Sequence, residues 1–180
     1  ARQEIDHHLH KIRLDDVRVE RQICKTCYPL LLVHGVGFRD FHYFNYWGRI
    51  PRELKRNGAQ VYYGHQEAWG TVEDNAEILR RNIFAICQET GAKKVNIIAH
   101  SKGGLDSRYL ISGLSMAPYV ATLTTINTPH RGSALVEFLM RLPDPVYRKV
   151  CALIDGYFRK LGDKKPNAYL ASRQLSCGYA

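Results

Sequence analysis

Lys94-Val95-Asn96-Ile97-Ile98-Ala99-His100-Ser101-Lys102-Gly103-Gly104-Leu105 is the stretch on which the reading of the fold turns. Val95, Ile97, Ile98 and Ala99 form an apolar run short enough for a buried strand. The run breaks at His100, and a helical pattern follows from Leu105 to Leu114. A strand, a sharp turn and a helix with a serine at the apex form a nucleophile elbow. Such a turn strains the serine backbone, so its near neighbours must be small. Ala99 lies two residues before Ser101 and Gly103 two after, and Gly104 gives the strand and helix room to approach. The start of the helix leaves the Lys102 main-chain N–H without an intrahelical partner, aimed where an oxyanion would form. The five residues alone also fit an ordinary strand-to-helix loop, so the surrounding pattern has to decide.

Upstream, Leu30 to Val33 is a continuous apolar run that fits a central parallel strand covered on both faces. It ends in His34-Gly35-Val36-Gly37-Phe38, where two glycines let the backbone curl and present its N–H groups. This is either a plain glycine turn or the first wall of an oxyanion hole, with Val36 N–H as donor. Between the two runs, Ile50 to Arg56 reads as a short helix with Pro51 in its first turn, stopped by Asn57-Gly58. Ala59 to Tyr63 reads as a strand. Thr71 reads as an N-cap with Asp74 in the third helical position, opening a helix to Thr90 that Gly91 stops. Tyr119 to Ile126 is a further strand, ending in Asn127-Thr128-Pro129-His130-Arg131-Gly132-Ser133. Ser133 is placed to cap a helix over Ala134 to Arg141, and Pro143 and Pro145 close that helix. Val146 to Leu161 and Asn167 to Ser176 complete the helical pattern.

Strand and helix thus alternate, which implies a mostly parallel sheet in a three-layer α/β fold. No strand is legible after Ile126. An open parallel sheet carries ligands at the carboxyl ends of its strands. His34, Ser101 and Asn127 all fall at such ends. The chain divides into an N-terminal arm or edge strand over 1–27, a core over 28–142, and a helical region over 143–180 that could form a lid or cap.

Composition bounds the alternatives. The 180 residues suffice for one sizeable core. The net charge of +9 comes from 26 Lys and Arg against 17 Asp and Glu, spread along the chain. No arginine-rich block or repeat of basic and aromatic residues suggests a nucleic-acid module. The apolar runs are too short to span a bilayer, and no signal peptide is visible at the start. Cys24 and Cys27 read as a local disulfide or two plain thiols, and five cysteines leave at least one unpaired within the chain. His7, His8 and His10 have no convincing ligand spacing. The aromatics from Phe38 to Trp47, Phe41, Tyr43, Phe44 and Tyr46 among them, either pack over the sheet or line an acyl-binding cleft.

With these residues in view, the chain resembles the bacterial triacylglycerol lipases of the α/β-hydrolase superfamily. The resemblance rests on Tyr28 to Phe38, Tyr46-Trp47-Gly48-Arg49-Ile50-Pro51, the elbow from Val95 to Arg108, and Asn127 to Ser133. Ala99 stands where that group usually has glycine. The resemblance implies an α/β-hydrolase-like sheet that is incomplete on its C-terminal side. It implies Ser101 as nucleophile, Val36 and Lys102 N–H groups as oxyanion donors, hydrophobic acyl-ester substrates, no organic cofactor and a secreted protein. In this superfamily an acid and then a histidine follow the serine, yet no histidine follows His130. Asp106, Asp144, Asp155 and Asp163 do follow, Asp155 at a plausible separation but within a helical stretch. The expectation is an amino-terminal part of a longer enzyme, its acid and base lying beyond. A non-catalytic lipid- or protein-binding module and a serine acyltransferase remain the alternatives.

Overall fold

The computed structural model describes residues 22–40 and 46–179. Residues 1–21 of the N-terminal arm over 1–27, and the segment 41–45, with His7, His8, His10, Phe41, Tyr43 and Phe44, lie outside the described residues. Among the described residues four strands form one parallel sheet: β1 (Leu30–Val33), β2 (Val61–Tyr63), β3 (Val95–His100) and β4 (Val120–Ile126). Their spatial order is β2-β1-β3-β4. The chain winds outward from β1 to β2, then crosses back to place β3 on the other side of β1. The connections leaving β1 and β3 therefore diverge and open a crevice at the carboxyl ends of those strands. Val33 pairs with Ala99, so the residues that follow run on together: His34 and Gly35 after β1, His100, the last residue of β3, and then Ser101.

Core clusters lie on both faces of the sheet around β1. On one side, Leu31, Val33, Val95, Ile97 and Ala99 pack with Ala76, Leu79 and Ile83 of helix α2 (Val72–Thr90) and Leu110 of helix α3 (Lys102–Ser112). On the other, Leu30, Leu32 and Val61 meet Trp47, with Leu54 of helix α1 (Ile50–Arg56) against them. Leu31, Leu79, Ile83 and Ile97 are wholly buried, and burying each stabilises the fold by about 1.5–3 kcal/mol. The continuous apolar reading of β1 follows from this two-sided burial.

The caps of α2 form as the residues suggest. Thr71 is extended, and its hydroxyl accepts the Asp74 main-chain N–H at 3.1 Å. The same hydroxyl donates to the Asp74 carboxylate at 2.9 Å. The left-handed Gly91, at φ 70°, ends the helix.

Several boundaries differ from the sequence reading. Helix α3 begins at Lys102, three residues before Leu105, because the turn is completed within Ser101 itself. Helix α4 (Ala134–Leu139) stops short of Arg141, and Ser133 makes no side-chain cap. Pro145 does not close that helix but lies in the first turn of α5 (Asp144–Lys160), where a missing N–H costs nothing. Helix α6 (Ala168–Arg173) is shorter than its pattern, capped by Asn167 whose side chain accepts Leu170 N–H at 2.9 Å. All five cysteines are free thiols, so Cys24 and Cys27 are the plain-thiol alternative. Among the described residues no helix is long and apolar enough to cross a membrane.

Among the described residues, one side of the fold carries an exposed strand and exposed apolar side chains. Among the described residues β4 has a strand neighbour only in β3, and Ile126 at its end is exposed. Leu135 and Phe138 of α4 and Val146, Val150, Leu153 and Tyr157 of α5 are exposed as well. An open parallel edge beside an apolar surface favours self-association. Residues 1–180 expressed alone should therefore bind a hydrophobic dye and associate with rising concentration. Light scattering showing a monomer at all concentrations would contradict this.

Candidate active site

Ser101 adopts φ 54°, ψ −130°, a conformation that non-glycine residues rarely take. The elbow is held by its backbone. Ser101 N–H donates to Ile126 O at 2.9 Å, and Ser101 O accepts Gly104 N–H at 3.1 Å. The Ser101 hydroxyl makes no hydrogen bond among the described residues. Its neighbours are small because anything larger would collide. A methyl on Gly103 would lie 2.5 Å from His34 O and 2.7 Å from Val33 O. One on Gly104 would overlap the Thr128 side chain. The sequence reading takes Gly103 as a small neighbour of the strained serine and Gly104 as room for strand and helix to approach; Thr128, in the turn after β4, is what Gly104 meets.

The loop after β1 lies directly against the serine. A methyl on Gly35 would come within 2.8 Å of Ser101 Cβ, 3.2 Å of Ser101 Oγ and 2.8 Å of the Tyr46 hydroxyl. Gly35 N–H donates to that hydroxyl at 3.1 Å, and the same oxygen meets Nδ1 of His100. Burial raises the Tyr46 phenol above its usual pKa, which keeps the hydroxyl protonated. The Tyr46 ring packs edge-on against Trp47 and His34. Tyr46 thus joins the loop after β1 to the residue before Ser101. Trp47 belongs to the core under the sheet, which answers the choice between core and cleft for that residue. The main-chain N–H groups of Val36 and Lys102 donate no hydrogen bond among the described residues. The next N–H, of Gly37, donates to Ala68 O at 2.9 Å and fixes the loop.

Sequence reasoning missed the Lys102 side chain. It is 1 % exposed and pairs with Asp106 at 2.6 Å, one helical turn on. Asn75 Nδ2 donates to the other Asp106 oxygen at 3.0 Å, and to Glu67 O at 3.1 Å. Burial pushes the Asp106 carboxyl up, against the Lys102 ammonium and the Asn75 amide, which favour its charged form. The i, i+4 spacing of Lys102 and Asp106 was the available signal, but such pairs are ordinarily solvated.

The remaining titratable candidates are committed elsewhere. His34 Nδ1 faces Gly35 O at 2.8 Å and Nε2 faces Gln66 O at 3.1 Å. His130 is exposed, against Arg108 at 3.3 Å and Thr125 at 3.1 Å. Asp155 accepts Ala168 N–H at 2.7 Å. Asp144 is exposed and bonded to Arg148 at 2.6 Å, which holds its carboxyl below the usual range. Asp163 binds Arg39 at 2.7 Å and the N–H groups of Ala68 and Trp69 at 3.3 and 3.1 Å. None of these residues bonds to the Ser101 hydroxyl. Among the described residues no three His, Cys, Asp or Glu side chains are grouped to hold a metal ion.

The sequence pattern of the lipase (class 2) family matches residues 28–129. That span holds β1, the loop after it, the serine turn and β4. The chain belongs to this family. It is 40 % identical over 116 residues to a triacylglycerol lipase of Vibrio cholerae, covering 64 % of this chain and 36 % of that protein. It is 39 % identical over 120 residues to a triacylglycerol lipase of Burkholderia plantarii, covering 63 % and 33 %. The matched stretch is thus about a third of the length of these lipases. Among solved structures, the mature form of a Bacillus licheniformis lipase superposes with TM-score 0.63 at 24 % identity, over 84 % of this chain and 56 % of that one. A metagenomic carboxyl esterase superposes with TM-score 0.59 at 16 % identity, over 84 % and 43 %. These likenesses carry the α/β-hydrolase fold.

The buried pair gives a stability test. Asp106→Ala leaves an unpaired ammonium in the interior and should destabilise the protein by about 3–5 kcal/mol, whereas Lys102→Met with Asp106→Leu should recover most of that loss. Denaturant unfolding of the three proteins measures it. A double variant as unstable as Asp106→Ala would contradict the account.

Proposed function

We propose that the complete protein hydrolyses carboxylic esters through a serine acyl-enzyme, with Ser101 as nucleophile. The observation that carries this reading is the Ser101 conformation: a strained serine with an unbonded hydroxyl, at the point where the connections after β1 and β3 diverge. Strain held at a strand-to-helix turn exposes Oγ and places the helix N-terminus behind it. The proposed oxyanion donors are the N–H groups of Val36 and Lys102. Gly35 and Tyr46 support the first, and the buried Lys102–Asp106 pair anchors the second.

The reaction would run in two halves. Ser101 Oγ attacks the ester carbonyl carbon, and the carbonyl π pair moves to oxygen, where the two N–H groups stabilise it. A base takes the serine proton and returns it to the departing alcohol as the C–O bond breaks. Water then attacks the acyl-enzyme with the same base accepting its proton, which frees the acid and restores Ser101. No described histidine hydrogen-bonds the Ser101 hydroxyl: the rings of His34, His100 and His130 bond Gly35 and Gln66, Tyr46, and Arg108 and Thr125, and no histidine follows His130. The reading therefore takes the base and its orienting carboxylate from chain beyond Ala180. The substrate class is esters of hydrophobic acyl chains, acylglycerols in the first place, in keeping with the relatives of this stretch. An organic cofactor has no part in this chemistry.

A serine hydroxyl without a base is a poor nucleophile. Residues 1–180 alone should show only faint turnover of a short-chain activated ester, close to that of Ser101→Ala in the complete protein. The complete protein should be active and lose nearly all activity on Ser101→Ala, by several orders of magnitude. Turnover by residues 1–180 equal to that of the complete protein, and lost on Ser101→Ala, would show that the base lies within these residues.

A further inference from the structure

The α5–α6 turn carries a wholly buried carboxylate, Asp163, bonded to two other parts of the fold. Arg39, on the segment that continues the loop after β1, donates to Asp163 Oδ1 at 2.7 Å. Ala68 N–H and Trp69 N–H donate to Oδ1 and Oδ2 at 3.3 and 3.1 Å. Segment 66–69 in turn holds the loop after β1 at two points. Gln66 Nε2 donates to His34 O at 2.8 Å, and Ala68 O accepts Gly37 N–H at 2.9 Å. Val36 lies between those two anchors. We propose that Asp163 is a positioning residue for the oxyanion loop, setting the orientation of Val36 N–H through Arg39 and through segment 66–69. This rests on the assignment of Ser101, Val36 and Lys102 proposed above.

The surroundings are built for this contact. Gly162, at φ 105°, turns the chain into Asp163, and a methyl there would lie 3.2 Å from the Arg39 guanidinium. The Glu67 carboxylate accepts Lys164 and Lys165 N–H at 2.7 and 2.9 Å, and Trp69 O accepts Asn167 N–H at 2.8 Å. Segments 67–69 and 163–167 therefore grip each other through main-chain groups on both sides. Three donors from two segments converge on one desolvated carboxylate, which makes their relative placement stiff. The loop after β1 has little regular structure of its own, so its geometry comes from these bonds. A small displacement of Val36 would then cost transition-state stabilisation without removing a substrate contact.

The test uses the complete protein and a short-chain nitrophenyl ester, well below the unfolding temperature of each variant. Asp163→Asn keeps the shape but loses the charge and one acceptor. It should lower kcat about tenfold to a hundredfold, with KM within about twofold. It should also speed hydrogen exchange in the peptide containing Gly37. Arg39→Met should lower kcat less, Arg39→Lys should regain part of that, and the double variant should be no worse than Asp163→Asn. Wild-type kcat per folded molecule in Asp163→Asn, whatever its thermal stability, would overturn the proposal. If Asp163→Asn does not fold, wild-type kcat in Arg39→Met overturns it instead. Ser101→Ala separates the two layers. Hydrolysis that survives Ser101→Ala overturns this inference together with the assignment beneath it. Hydrolysis lost in Ser101→Ala but untouched in the Asp163 and Arg39 variants overturns this inference alone.

Discussion

Two adjacent parallel strands, β1 and β3, end level with each other, and their outgoing loops share a space too small for one extra methyl. Gly35 presses on Ser101, and Gly103 presses on the carbonyls of Val33 and His34. Everything else at the site follows from that contact. The serine must turn within a single residue, which drives it to positive φ. The helix after it begins at once, at Lys102, whose N–H has no intrahelical acceptor. The loop after β1 must stay flat against the turn, which only glycine at position 35 allows. Packing density near that of an organic crystal leaves no slack to absorb a larger residue.

Several buried polar groups are linked to these loops. The Lys102–Asp106 pair, Asn75, Glu67 and Asp163 are all buried, and each carboxylate has at least two donors. Such groups add little net stability compared with well-packed hydrocarbon, because desolvation offsets the attraction. What they supply is direction. A carboxylate bonded to N–H groups from separate segments fixes the relative position of those segments, which dispersion contacts do only loosely. The 66–69 segment is the shared member: it bonds the loop after β1, the elbow helix through Asn75, and the α5–α6 turn.

The sheet was legible because its strands are apolar runs bounded by turn residues. Leu30–Val33, Val61–Tyr63, Val95–Ala99 and Val120–Ile126 could be read one by one, and burial on both faces gave β1 its unbroken character. The elbow was legible because its steric demand leaves a compositional trace in Ala99, Gly103 and Gly104. Helix α3 started earlier than its pattern because its first turn carries Lys102 and two glycines, which show no amphipathic period. Pro145 fits equally well after one helix or in the first turn of the next, and only tertiary packing selects. The buried charges were not legible at all. A lysine followed by an aspartate at i+4 looks like a solvated pair, and nothing local marks Asp163 as the partner of Arg39 far upstream. Asp155, a candidate by sequence separation, instead bonds the N–H of Ala168 at the start of α6.

The described fold carries the proposed nucleophile and the proposed oxyanion donors at the carboxyl ends of β1 and β3. The central claim is that Ser101 is the residue that attacks. An alkyl phosphonate nitrophenyl ester reacts with an activated serine and leaves a stable phosphonyl group on its oxygen. Intact-mass analysis of the complete protein after such treatment should show one added phosphonyl group per chain, with peptide mapping to Ser101. A fully active protein that takes up no label, or takes it up on another residue with loss of activity, would contradict the account.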